Sequence, residues 1–163
     1  MNWEFNFENW KGMKKAGSEG NRVAYAIKAG GSKWYVADVD LEDDDSAVAK
    51  CADSVRKTLG KVVSGFLLIS AGVKNLIVVL NVPLALENDM NCLEFFEASL
   101  NNIHGVKVVK RDESVLNYYV VSSVIEIDTP FKFKDVVRSS AFEYFRKKGL
   151  VEEESEEEEN YEF

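Results

Sequence analysis

The chain has one histidine and two cysteines, and this scarcity limits the chemistry that it can perform. His104 stands in a predicted turn, and neither Cys51 nor Cys92 has another cysteine or a histidine at the spacing of a metal site. A zinc site and a Cys–His catalytic pair are therefore not expected. Both cysteines occur in apolar segments, which indicates buried thiols in a reducing compartment.

Long hydrophobic runs are also missing. No stretch approaches the roughly 18 apolar residues that a membrane-spanning helix requires. The first residues, MNWEFNFE, lack the basic-then-apolar pattern of a secretion signal. We therefore expect a cytoplasmic protein with no membrane partner. The length of 163 residues and the hydrophobic content of 46% suit one globular domain with its own core.

Positive charge is absent from the C-terminal segment EEESEEEENYEF, residues 152–163. This segment holds eight of the 28 acidic residues and none of the 20 basic residues. Residues 1–151 therefore contain 20 acidic residues (28 less eight) and 20 basic ones, so the whole net charge of −8 belongs to the end of the chain. Because like charges repel and offer no apolar face, we predict a domain over residues 1–150 and a flexible acidic tail over residues 151–163.

The N-terminal part of the sequence shows the alternation that is typical of β-strands. Aromatic residues at positions 3, 5 and 7 predict a first strand over residues 3–10. Residues 22–29 (RVAYAIKA) and 33–41 (KWYVADVDL) predict two more. Residues 11–21 are rich in glycine, lysine and serine, which is typical of a loop. These three strands would form an antiparallel meander.

The rest of the chain alternates between predicted helices and strands. Acidic residues 43–45, followed by apolar residues at helical spacing, predict a helix that stops at Gly60. Thr129 and Pro130 predict the start of a last helix, which ends before Gly149. The other predicted elements are strands over 66–69 and 76–80, a helix from Asn88 or Asp89 to about 102, and strands over 106–109 and 116–127.

This order of elements predicts an α+β domain. Its sheet is mostly antiparallel, and two or three helices cover one face of that sheet. A five-stranded barrel of the OB type with inserted helices fits the same count of strands.

Three places in the sequence offer cations within or directly after an aromatic segment, as a surface for single-stranded nucleic acid requires. Lysine and arginine neutralise phosphates, and rings stack on bases with about 1–3 kcal/mol per base. The three places are Lys11, Lys14, Lys15 and Arg22; Lys28, Lys33, Trp34 and Tyr35; and Phe131, Lys132, Phe133 and Lys134. The charge balance of the domain argues against such binding, unless the tail serves as an internal counter-charge.

The tail can compete with nucleic acid for a cationic groove, because a row of carboxylates has a charge density like that of a row of phosphates. An acidic tail that ends in phenylalanine resembles the C-terminal ends of phage and bacterial single-stranded DNA-binding proteins. The resemblance covers residues 152–163 alone, and it implies that the tail recruits replication proteins, with the terminal ring docked in a partner's pocket. The residues that it implicates are Glu156, Glu157, Glu158, Glu159, Glu162 and Phe163.

An enzymatic alternative rests on Asp38 and Asp40. Two carboxylates at alternate positions of a strand share one face and could bind Mg²⁺ together. With the helix that follows and the turn Ser70-Ala71-Gly72 that leads into an apolar strand, this segment resembles the catalytic core of archaeo-eukaryotic primase-polymerases. The resemblance implies a third carboxylate, for which Asp128 is the candidate. The histidine of that family is replaced here by Ile77, so the fold would be either active or decayed.

The leading hypothesis is a non-enzymatic, single-stranded DNA-binding accessory protein of replication that needs no cofactor. The first alternative is the metal-dependent nucleotidyl-transfer fold. The second is an acidic protein-interaction or inhibitory module that occupies the basic site of another protein. Removal of the tail separates the DNA-binding hypothesis from the acidic interaction module, because only a DNA-binding protein would then bind oligonucleotides more tightly.

Overall fold

The structure is a computed structural model that describes residues 7–31, 33–103, 107–115 and 117–150, with the backbone alone at positions 7–10, 107, 111 and 112. The elements, in chain order, are α1 (Phe7–Gly30), β1 (Trp34–Asp38), α2 (Asp45–Leu59), β2 (Gly65–Ala71), β3 (Asn75–Pro83), a short 3-10 helix (Leu84–Leu86), α3 (Cys92–Ser99), β4 (Lys107–Val115), β5 (Tyr118–Glu126) and α4 (Pro130–Lys147). The predicted acidic tail lies outside the described residues.

The five described strands form an open sheet in the order β1-β2-β3-β5-β4. β1 and β2 are parallel, with α2 as the crossover between them, and the other neighbouring pairs are antiparallel. The predicted α+β class with a mostly antiparallel sheet is therefore confirmed. The barrel alternative is not, because β1 and β4 lie at opposite edges of the described sheet.

Helices cover both faces of the sheet, whereas the sequence predicted one covered face. Along β1, Trp34 and Val36 face one side and Ala37 faces the other, as strand alternation requires. α3 and α4 pack on the side of Trp34, and α1 and α2 pack on the side of Ala37. Because both sides are covered, β2 and β3 are buried along almost their whole length and read as continuous apolar runs.

The main correction concerns the N-terminal region, where α1 replaces the predicted loop at residues 11–21 and the predicted strand at residues 22–29. The predicted antiparallel meander is therefore wrong. A strand would place Val23, Tyr25 and Ile27 on one face. In the helix, Val23 and Ile27 are buried, while Tyr25 is 64% exposed.

Glycines that suggested a loop allow α1 to approach α2 closely. A Cβ atom added at Gly20 would lie 2.4 Å from the Cβ of Ser54 and 2.7 Å from the carbonyl oxygen of Cys51. No side chain fits at this crossing, so glycine is tolerated there despite its low helix propensity.

The start and the end of α2 were predicted correctly. The side chain of Asp44 accepts a hydrogen bond from the backbone N–H of Ala47 at 3.0 Å and so caps the helix. At the other end, Gly60 has a positive φ of 57°, which glycine adopts without strain.

The last helix also follows its sequence signals. Pro130 occupies the first turn of α4, and Gly149 ends it with a φ of 68°. Thr129 makes no side-chain capping bond, so the predicted entry is right in position but not in the role of that hydroxyl.

Two other boundaries differ from the prediction. α3 is capped by the side chain of Asn91, which accepts from the N–H of Glu94 at 3.0 Å, and not by Asn88 or Asp89. β4 extends to Val115, beyond its predicted end, and pairs with β5 along nine residues.

Candidate nucleic-acid interface

The outer face of α1 collects cations that the sequence had divided between a loop and a strand. The helix buries Ala16, Val23 and Ile27 on one side. Helical spacing puts its exposed cations on the other side. These cations are Lys11, Lys14, Lys15, Arg22 and Lys28. From position 11 to position 28 the one acidic residue is Glu19, so this face carries almost a single sign of charge.

Tyr25 lies within this face and is 64% exposed. Its neighbours at helical spacing are Asn21, Arg22 and Lys28. Sequence reasoning missed Tyr25 because the residue was assigned to a half-buried strand. The signal that could have found it is the apolar spacing of Val23, Ala24 and Ile27, which is helical.

Asp38 joins this face of α1 to the start of α4. Lys134 Nζ donates to Asp38 Oδ2 at 2.6 Å, and Arg22 Nη2 donates to the backbone oxygen of the same residue at 3.2 Å. Arg22 also binds Glu19 through its Nε, and this hydrogen bond is the main reason that the pKa of Arg22 is raised. Two of the three predicted places therefore meet at the end of β1.

The first turn of α4 presents one exposed aromatic ring beside a cation. Phe131 is 67% exposed. The ammonium of Lys134 lies 4.1 Å from its ring centroid, which is a cation–π contact. Lys132 is exposed as well, whereas Phe133 packs against the core on the α3–α4 side. Only Phe131 of the two rings is placed to stack on a base.

The middle of the three predicted places is divided between the surface and the core. Trp34 is 8% exposed and packs against Phe145 with ring centroids 6.3 Å apart, so it is a core residue. Tyr35 is half-buried at the edge of the opposite core, and Lys33 is exposed. Trp34 is not a stacking platform in this structure.

Asp38 is the last residue of β1 and Asp40 lies beyond it, and each of these two proposed metal ligands has a lysine partner. Lys134 of α4 binds Asp38, while Lys15 of α1 binds Asp40 Oδ2 at 3.3 Å. These two helices pack on opposite faces of the sheet. Within the described part of the chain, no three His, Cys, Asp or Glu side chains are grouped so that they could hold a metal ion.

The Ser-x-Gly turn has a structural explanation. The hydroxyl of Ser70 accepts from the N–H of Leu41 at 3.2 Å and donates to the carbonyl of Glu42 at 3.0 Å. These two bonds fasten the end of β2 to the segment that leads from β1 into α2.

Asp43 and Gly72 complete this junction. The carboxylate of Asp43 accepts from the N–H groups of Val73 and Asn75 at 3.0 and 3.1 Å. A Cβ atom at Gly72 would lie 1.9 Å from Asp43 Oδ1. The residues that resemble a catalytic motif thus hold two loops together.

One buried polar pair was not predicted. Arg56 of α2 donates through Nη1 to Asn81 Oδ1 on β3 at 2.5 Å, and burial lowers the pKa of Arg56. Arg56 Nε and Asn81 Nδ2 have no hydrogen-bond partner among the described residues. The asparagine inside the apolar run LIVVLNVP was the available signal. This pair fixes α2 over β3 and lies in the core.

Comparison with known proteins adds no family: no family model and no curated protein matches the sequence. Among the described helices, none combines the length and the apolar character that crossing a membrane requires.

Proposed function

We propose that this protein binds single-stranded nucleic acid, without catalysis, through the outer face of α1 and the first turn of α4. We call the two together the cationic surface, and it consists of Lys11, Lys14, Lys15, Arg22, Tyr25, Lys28, Phe131, Lys132 and Lys134. The observation that carries the proposal is the outer face of α1, where lysine and arginine side chains surround an exposed tyrosine.

The parts of this surface suit a single strand. Lysine and arginine at helical spacing neutralise successive phosphates, and Tyr25 and Phe131 offer exposed rings on which bases stack. Stacking and phosphate contacts do not read base edges, so binding tolerates any sequence.

The ion pair between Lys15 and Asp40 does not block this part of the surface. Lys15 and Asp40 have half or more of their side-chain surface exposed, and such pairs are worth about 0–1 kcal/mol. A phosphate can therefore replace Asp40 as the partner of Lys15 at little cost.

The acidic tail is the second part of the proposal. Residues 152–163 supply a polyanion that competes with nucleic acid for the cationic surface. Once displaced, the tail contacts replication proteins through Glu156, Glu157, Glu158, Glu159, Glu162 and Phe163. Its charge and its terminal ring support this role.

A titration with a labelled oligothymidylate tests both parts. Fluorescence anisotropy is measured for the full-length protein and for a protein that lacks residues 152–163, each at two ionic strengths. We expect tighter binding without the tail, and an affinity whose logarithm falls with the logarithm of salt concentration by about 0.7 per phosphate contacted. If neither protein binds, the proposal fails and the acidic interaction module remains.

Ring substitutions test the stacking platforms. Tyr25→Ala and Phe131→Ala should each weaken binding about tenfold, because each removes one stacked base, while the salt dependence stays the same. Tyr25→Phe is the matched control and should keep the affinity. Equal losses in Tyr25→Ala and Tyr25→Phe would contradict stacking.

Asp38→Asn separates this proposal from the metal-dependent alternative. The substitution removes the carboxylate charge that pairs with Lys134 and keeps the backbone oxygen that binds Arg22, so oligonucleotide affinity should rise severalfold. The metal-dependent reading expects the loss of Mg²⁺ binding instead, which calorimetry with Mg²⁺ alone measures on both proteins.

A further inference from the structure

In the described part of the sheet, β4 is an edge strand with one long unpaired side. Among the described strands it pairs with β5 alone, along its nine residues. Val108 and Val109 are 39% and 59% exposed. A strand of this kind presents unpaired backbone N–H and C=O groups and is a template for another strand.

The basic residues of β4 come first along the strand, and its acidic residues follow. The strand reads KVVKRDESV, with its cations at positions 107, 110 and 111 and its acids at positions 112 and 113. An antiparallel copy of the same strand therefore brings the basic half of each strand across from the acidic half of the other. We propose that β4 pairs antiparallel with β4 of a second copy of this chain, joining two sheets into one.

Symmetry restricts the register of this pairing. A two-fold axis perpendicular to the joined sheet keeps the same face of both copies on the same side. The axis must therefore lie midway between the two copies of one residue. With the axis at position 112, Val109 lies opposite Val115 of the second copy, and Arg111 lies opposite Glu113. With the axis at position 111, Lys110 would oppose Asp112 and Arg111 would oppose itself, as Asp112 does in the first register, so charge does not decide between the two. The first register is favoured because it pairs Val109 with Val115, whereas the second pairs Val109 with Glu113.

The favoured register also places Lys110 opposite Ser114 of the second copy and diagonal to Asp112. The two Asp112 residues oppose each other at the axis, and a lysine from each copy stands beside them. Both Lys110 and Ser114 are exposed in the described structure.

The favoured register covers the most exposed apolar residue of β4. Val109 pairs with Val124 within the sheet, on the face of α1 and α2. On that face Val124 is half-buried, while Val109 remains open to solvent. The contact with Val115 of the second copy removes Val109 from water, which favours association.

Substitutions at Ser114 test this register, because their expected effect on dimer association is opposite in direction to the effect of net charge. Each copy carries a charge of −8, so a further negative charge should weaken association through general repulsion. In the proposed register Ser114→Glu instead creates two pairs with Lys110, one on each side of the axis. Ser114→Lys creates two repulsive contacts. We expect the dimer dissociation constant to fall roughly fivefold in Ser114→Glu and to rise by a similar factor in Ser114→Lys.

Sedimentation velocity of the full chain over a range of concentrations measures these constants. The wild-type mass should rise from 18.4 kDa toward twice that value as concentration increases. Ser139, an exposed residue of α4, provides the control, because Ser139→Glu and Ser139→Lys make the same charge changes away from β4. The proposal is overturned if wild type and Ser114→Glu both stay monomeric, or if the Ser114 variants shift association no differently from the Ser139 variants.

Discussion

The two helical layers of this protein differ in the charge that they present to solvent. The outer face of α1 carries cations with almost no acid among them. The layer of α3 and α4 mixes charges of both signs: Lys148 binds Glu94 at 3.0 Å, and acids and a lysine line the cleft between the helices. The cleft residues with charge are Glu94, Glu97, Glu143 and Lys147. A domain that is neutral by its formal charge can therefore hold a cationic face, and the distribution of charge is a better guide to binding than the sum.

The layers also differ in how they pack. α1 meets α2 at Gly20, where backbone and small side chains touch. α3 meets α4 through rings, with the Phe95 centroid 5.2 Å from that of Tyr144 and 5.0 Å from that of Phe145. The close glycine contact keeps the bulky and charged side chains of α1 on its outer side, where they form part of the proposed cationic surface.

The largest expected effect comes from filling the contact between α1 and α2. Gly20→Ala places a Cβ 2.4 Å from the Cβ of Ser54, and the backbone of α2 must shift. We expect a loss of about 1–3 kcal/mol in the free energy of unfolding, as for other overpacked sites. Urea denaturation measures it.

Gly17→Ala is the matched control for this substitution. A Cβ at Gly17 would meet only Ser54 Oγ, at the ordinary distance of 3.8 Å. Alanine is the better helix former, so this variant should gain about 0.5–1 kcal/mol. If both variants gain stability, the helices are not in close contact at Gly20.

The next largest effect is expected from charge reversal on α1, which tests the difference in charge between the two helical layers. Lys14→Glu with Lys28→Glu should weaken oligonucleotide binding at least tenfold at low salt and reduce the salt slope by about 1.4, because two phosphate contacts are lost. Lys147→Glu with Lys148→Glu changes the net charge equally in the other layer and should leave the slope unchanged. Equal effects of the two double variants, measured by anisotropy, would show that only the overall charge matters.

The local sequence determines some helices of this protein better than others, for a physical reason. α2 and α4 were predicted because their caps and their apolar spacing are local signals, carried by Asp44, Gly60, Pro130 and Gly149. α1 was not, because the role of Gly20 depends on Cys51 and Ser54, which are distant in sequence. Tertiary packing here overrides the low helix propensity of glycine.

The sequence named most residues of the proposed surface, but it missed Tyr25 and did not give their arrangement, and their binding of nucleic acid stays a prediction. Composition alone identified the lysines of α1 and the ring of Phe131, since cations and aromatics are visible in a sequence. That Asp38 would join two helices, and that Trp34 would lie in the core, depends on which face of β1 each helix covers. Which helix covers which face is determined by the packing of the whole sheet.

A smaller effect is expected from Cys51, which is buried between α1 and α2. Burial is the main cause that raises its pKa to about 12. The unfolded chain therefore loses this proton as pH rises above its ordinary value, while the folded protein keeps it, so stability falls between about pH 8.5 and 12. We expect about 1 kcal/mol less stability at pH 9.5 than at pH 7.5 from this thiol.

Urea denaturation at these two pH values, with Cys51→Ala for comparison, isolates the thiol. The variant should lose this part of the alkaline decline and keep the part due to Tyr118, whose pKa burial also raises. An identical decline in both proteins would mean that the interior between α1 and α2 admits water.

The smallest effect should come from the paired charges of the other layer. The hydrogen bond from Lys148, followed by that from Tyr144, lowers the pKa of Glu94. A lowered pKa contributes stability above the ordinary value of about 4.3, and that contribution is lost as pH falls through the lowered pKa. Glu94→Gln should therefore flatten the acid limb of a stability curve slightly, and less in high salt because the pair is exposed. If the variant and the wild type lose stability in parallel from pH 5.5 to 3, the pairing on this layer contributes nothing to the fold, and its effect is confined to neutralising the surface of α3 and α4.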